Sequence, residues 1–151
     1  MLPTLNGRLQ TRVFATLVIG SLWSIVLALF VPGLPEVSWA DKVKAEIGLL
    51  LVLTVLGLGW ELVYHGLMQF RWEKDWPTLF GLVTLVNEGL LVHYVAVTHT
   101  VDVGWAGRAS GLPRSTFLVA FLTTWLVVWL WVNGPMRVFT VHWRFNGGRL
   151  L

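Results

Sequence analysis

Long uncharged apolar runs, separated by short charged turns, set the pattern of this chain. The first runs from Val13 to Val31 with no charge between Arg12 and Glu36, and it stops at Pro32-Gly33-Leu34-Pro35, which cannot continue a helix. The second reaches from Ile47 to Phe70 and is interrupted by Glu61 and His65. The third starts at Pro77, a favoured first helical position, and reaches Thr98 with Asn87 and Glu88 at its middle. The fourth covers Ser115 to Val132 and ends at Asn133-Gly134-Pro135. Each run is long enough to cross a hydrocarbon core that needs about 20 apolar residues. The pattern predicts helices over 12–32, 45–70, 77–98 and 115–133. The expected fold is all-α, an integral membrane four-helix bundle with short loops, forming one transmembrane domain over 1–151. The first run is longer than the roughly 7–15 apolar residues of a signal peptide, so it is expected to stay as a helix.

Composition narrows the class in the same direction. Of 151 residues, 56% are hydrophobic and 13% charged, with a mean hydropathy of +0.70. A soluble domain carries roughly 25% charged residues, so a soluble globular fold is a poor explanation. The net charge of +3 is spread along the chain and forms no nucleic-acid footprint. The absence of cysteine excludes disulfides, thiol catalysis and cysteine-ligated metal centres.

Cations flanking the runs set the orientation. Arg8, Arg12, Arg71, Lys74, Arg137, Arg144 and Arg149 fall on one side and outnumber Lys42, Lys44, Arg108 and Arg114 on the other. Both termini are therefore expected in the cytoplasm of a bacterial-type inner membrane. Trp39 and Trp105 fall near the outer boundary, and Trp72, Trp76 and Trp143 near the inner one, as an aromatic belt requires. The turn holding Arg71, Trp72, Lys74 and Trp76 reads as interfacial, and the basic, aromatic tail around Arg144 as resting on anionic headgroups. In the first run Thr16, Gly20, Ser24 and Ala28 recur at spacing four, a narrow small-residue stripe that lets another helix approach closely. Whether that neighbour belongs to this chain or to another copy stays open.

Glu61, His65, Asn87 and Glu88 form the expected intramembrane polar cluster. A charge at mid-bilayer costs at least ~2.5 kcal/mol on insertion scales, so it calls for a reason. At 1.5 Å per residue from the hairpin, Glu61 lies about 13 Å in and Glu88 about 18 Å in, whereas His65 and His93 lie about 7 and 25 Å in. Helical phase puts Glu46, Thr54, Gly57, Glu61 and His65 within one arc of the second helix. Thr84, Asn87, Glu88 and Thr98 share an arc of the third, His93 points away, and Thr123 and Thr124 are available on the fourth.

Four readings of these residues compete. In the first, the carboxyls are protonated or bonded to Asn87, His65 and threonines, and fix helix register; Glu88→Gln is then tolerated. In the second, Glu88, Glu61 and His65 relay protons or cations. The third is bis-histidine haem, opposed by the depth mismatch between His65 and His93. The fourth is a metal site, opposed by the missing Glu-x-x-His spacing. The leading expectation is a non-enzymatic polytopic protein without catalytic residues, metal or cofactor, an accessory or assembly subunit of a larger membrane complex. Its partners are the bilayer and another membrane protein or a second copy, with no nucleic acid. The alternative is a small proton- or cation-coupled transporter using the intramembrane glutamates.

Overall fold

The structure is a computed structural model that describes residues 4–32, 37–70, 78–97 and 114–151. The described residues are helical: α1 Leu5–Leu27, α2 Trp39–Gln69, α3 Thr78–Val97, α4 Arg114–Asn133, and two short tail helices, α5 Pro135–Phe139 and α6 Val141–Phe145. Three of them, α1, α2 and α4, are long and apolar enough to cross a membrane. The interfacial turn residues Arg71, Trp72, Lys74 and Trp76 lie outside the described residues.

Two helices begin earlier than hydropathy alone predicts, because caps rather than apolar residues start them. Thr4 has extended backbone and its side chain accepts from Gly7 N, so α1 starts at Leu5 instead of residue 12. Ser38 accepts from Asp41 N and starts α2 at Trp39 instead of residue 45. The early start of α1 carries Arg8 and Arg12 into the bundle. The cation count of the sequence treats both as wet flanking charges, and the structure instead buries most of each side chain against a glutamate.

The backbone of α1 widens into a single π turn over Ala15–Ile19. Residues four apart on an α-helix overshoot a full turn by about 40°, so an uninterrupted helix would swing the series Arg8, Arg12, Thr16, Gly20, Ser24, Ala28 around its surface. A π turn is wider, advances less per residue and takes back part of that drift. The result is that Thr16, Gly20, Ser24 and Ala28 all point inward and are buried. A Cβ on Gly20 would stand 2.8 Å from a Leu50 methyl, so glycine is what allows α1 and α2 to approach there.

The core collects side chains from all four long helices: Leu27 of α1, Leu49, Val52 and Leu53 of α2, Val92 of α3, and Phe117, Ala120, Phe121 and Trp125 of α4. Phe117 and Phe121 stack with centroids 5.7 Å apart. Gly89 of α3 sits against that pair, since a Cβ there would meet the Phe121 ring at 2.8 Å. The outer surface is apolar: Leu22, Leu29, Phe30, Val55 and Leu90 are well exposed on it. Water would not tolerate so continuous an apolar exterior on a monomer, and lipid does. At 31 residues α2 is about 46 Å long, enough to cross the hydrocarbon core and project beyond it.

The tail folds back onto the start of α1. Thr4 N and Oγ1 both donate to the Gly147 carbonyl, at 2.9 and 3.1 Å, and Thr11 Oγ1 donates to the Gly148 carbonyl at 3.1 Å. Trp143 Nε1 donates to Thr11 Oγ1 at 2.7 Å, and Gln10 Oε1 accepts from Leu150 N at 2.8 Å. Gly147 and Gly148 have φ of 61° and 81°, in the left-handed region that favours glycine, and this turn brings the tail against Gly7.

Candidate functional site

Glu61 and Glu88 are both held by arginines of α1. Arg8 Nε donates to Glu61 Oε2 at 2.7 Å, tying α1 to α2. Arg12 Nη1 donates to Glu88 Oε1 at 3.1 Å while Nη2 donates to Oε2, a two-pronged pair that ties α1 to α3. Glu88 is 1% exposed, one of the most buried side chains of the described residues. A planar guanidinium and a carboxylate match in this geometry, which makes such pairs stronger than a point-charge contact.

Local features make room for the pairs. Gly57 lies against the Arg12 guanidinium, where a Cβ would stand 2.5 Å from Nε and 2.7 Å from Cζ. Met68 lies one turn pair along α2 from Glu61, and its sulfur accepts from Arg8 Nη1 at 2.9 Å. Four-residue spacing puts Arg8 and Arg12 on one stripe, and antiparallel packing of α1 on α2 presents that stripe to Glu61 and Gly57 in turn.

The two pairs border a cavity of about 240 Å³ that runs between α1 and α4. Arg8, Arg12, Glu61 and Glu88 supply its polar wall; Leu53, Trp125, Val128 and Trp129 supply the apolar one. Trp143 and Gly148 of the folded-back tail border its end. From Gly7 to Thr16 the cavity follows α1 for about 14 Å at 1.5 Å per residue, so it is a slot entering the bundle from the end where Thr4 and Gly147 meet.

Of the residues expected in the polar cluster, the structure brings Glu61 and Glu88 to this slot, with Thr84 also on its wall. Asn87 is itself exposed, but its side chain hydrogen-bonds the Tyr64 side chain, which lines the slot. His65 lies 3.5 Å from Gln69 Nε2, one turn along its own helix. His93 packs its ring edge-on to Phe117, with centroids 5.0 Å apart. Thr123 accepts from Trp23 Nε1 at 3.1 Å, and Thr124 is buried. Arg144 is exposed, its guanidinium 5.6 Å from the Phe145 ring centroid. Among the described residues no group of three or more histidine, aspartate or glutamate side chains is placed to hold a metal ion.

Sequence reasoning missed Arg8, Arg12 and Gly57 as parts of this site. A signal was available: Arg8 and Arg12 extend the Thr16–Gly20–Ser24–Ala28 stripe backward at the same spacing, and Gly57 shares an arc with Glu61. Glu46, which helical phase put on the same arc, was left out of the expected cluster, and it is buried.

No family model matches the chain, and no curated protein or solved structure matches it either.

Proposed function

We propose that the chain is a non-enzymatic, multi-pass protein of a bacterial-type inner membrane, acting as an accessory or assembly subunit of a larger membrane complex. In this reading α3, 20 residues and about 30 Å long, is the fourth span, and both termini face the cytoplasm. One observation carries the proposal: Glu61 and Glu88, the two carboxylates on the slot, are each engaged by an arginine of α1. A carboxylate gripped by a permanently charged guanidinium is a poor carrier of protons or cations, because its charge is already balanced. It is a good register device, because a slip of one turn would strand four charges in hydrocarbon.

The slot bordering the same residues favours a second reading, a small proton- or cation-coupled transporter. Purification from native membranes in mild detergent, with flux assays in proteoliposomes, separates the two. The subunit reading expects a stoichiometric membrane partner and no gradient-driven flux through the wild-type chain alone. Flux that disappears when Arg12 and Glu88 are both replaced by leucine, with the fold retained, would establish the transporter instead.

A further inference from the structure

We propose that Glu46 is a proton-binding site in the interior of the bundle, and that Leu53 is the plug separating it from the slot at the other end. The proposal stands apart from the subunit reading and needs no partner.

Glu46 is 6% exposed, two turns into α2. It borders a second, small cavity of about 10 Å³ lined by Leu49, Leu50, Leu53, Phe121 and Thr124. That is about the space one water molecule requires. No cation neutralises Glu46 among the described residues. Lys42, one turn before it on α2, makes no ion pair with it, and Lys44 is spent on Asp41 at 3.0 Å. From α4 the polar neighbour is Thr124. From α1 the register supplies another: Arg8 meets Glu61, Arg12 meets Gly57 and Gly20 meets Leu50, so Ser24 comes level with Glu46. Ser24 is 0% exposed, and its Oγ is a buried hydroxyl with no hydrogen-bond partner among the described residues.

An unpaired carboxylate walled by leucine and phenylalanine is costly, and the ordinary escape is to take up a proton. The step is simple: hydronium gives its proton to the Glu46 carboxylate, leaving a neutral acid and a water. The space beside Glu46, with Thr124 on its wall, suits that water.

Access is what the second cavity adds. Leu53 lines both spaces: on one side the slot with Arg12, Thr16 and Trp125, on the other the small cavity with Glu46. Leu53 is itself 4% exposed and, among the described residues, is the one that borders both spaces. A single apolar side chain between the slot and the space beside Glu46 blocks a water chain by dewetting, and shortening it removes the block.

Two measurements on the full chain test this. Dicyclohexylcarbodiimide adds to protonated carboxyls in apolar surroundings, and peptide mapping locates the adduct. We expect it on Glu46, with the arginine-paired Glu61 and Glu88 spared; labelling of those two without Glu46 overturns the proposal, as does no adduct at all. In proteoliposomes carrying an internal pH dye, Leu53→Ala should raise valinomycin-driven proton entry by roughly tenfold over wild type. Adding Glu46→Gln should return it to the wild-type level. An unchanged rate in a folded Leu53→Ala, or a leak that survives Glu46→Gln, overturns the plug. If Leu53→Ala does not fold, Leu53→Ser serves in its place, and the carbodiimide adduct decides the Glu46 site independently.

Discussion

The Arg12 guanidinium rests on Gly57, so close that a β-carbon there would lie 2.5 Å from Nε. Arginine is flexible and would ordinarily swing aside, but here both of its terminal nitrogens are committed to Glu88. Gly57→Ala therefore trades a helix-favouring residue against a displaced ion pair. We expect it to destabilise the fold by about 1–3 kcal/mol, although alanine is intrinsically the better helix former by about 1 kcal/mol. In a background where Arg12 and Glu88 are both leucine, the same change should become neutral or stabilising. Unfolding in detergent followed by circular dichroism measures both.

The pair itself makes an asymmetric prediction. Glu88→Gln keeps the shape but leaves the Arg12 charge without a counter-charge, so tolerance of the amide, expected from the sequence, gives way to a loss of about 3–5 kcal/mol. Arg12→Leu should cost a similar amount by stranding Glu88. Removing both charges together should cost far less than the two single changes added, since a buried pair nearly breaks even against apolar residues. A double-mutant cycle on the same unfolding signal reads the coupling directly.

Closure of the tail depends on close contact at Gly7. A Cβ on that residue would stand 2.7 Å from the Gly148 carbonyl carbon. Gly7→Val should lift residues 147–151 away and break the bonds from Thr4 and Thr11. Amide hydrogen exchange at Thr4 and Leu150, whose N–H groups bond across the contact, should then accelerate by about tenfold or more, while the core amides of α2 stay protected.

Topology is accessible because the chain has no native cysteine. Thr4 N and the Gly147 carbonyl are 2.9 Å apart, so cysteines at Asn6 and Phe145 must react from one and the same side. With cytoplasmic termini, both are shielded from an impermeant maleimide in intact cells, while a cysteine at Lys42, at the far end of α2, is labelled. The reverse pattern would invert the orientation.

Apolar run length determined the helical class and the membrane environment from sequence, because a span is a local property: about 20 residues either are or are not apolar. The small-residue stripe of α1 was legible for the same reason, since Thr16, Gly20, Ser24 and Ala28 lie within one helix. Helix starts were less so, because the caps at Thr4 and Ser38 are set by single side chains that hydropathy ignores. What only the tertiary structure decided was pairing. That Arg8 meets Glu61 and Arg12 meets Glu88 depends on how α1 packs against α2 and α3, residues more than fifty apart in sequence. The sequence placed those arginines in water and those glutamates beside Asn87 and His65. The fold instead brought opposite charges together because, in hydrocarbon, neither has a cheaper partner. The same packing set Leu53 between the slot and Glu46, a relationship that no periodicity within one helix contains.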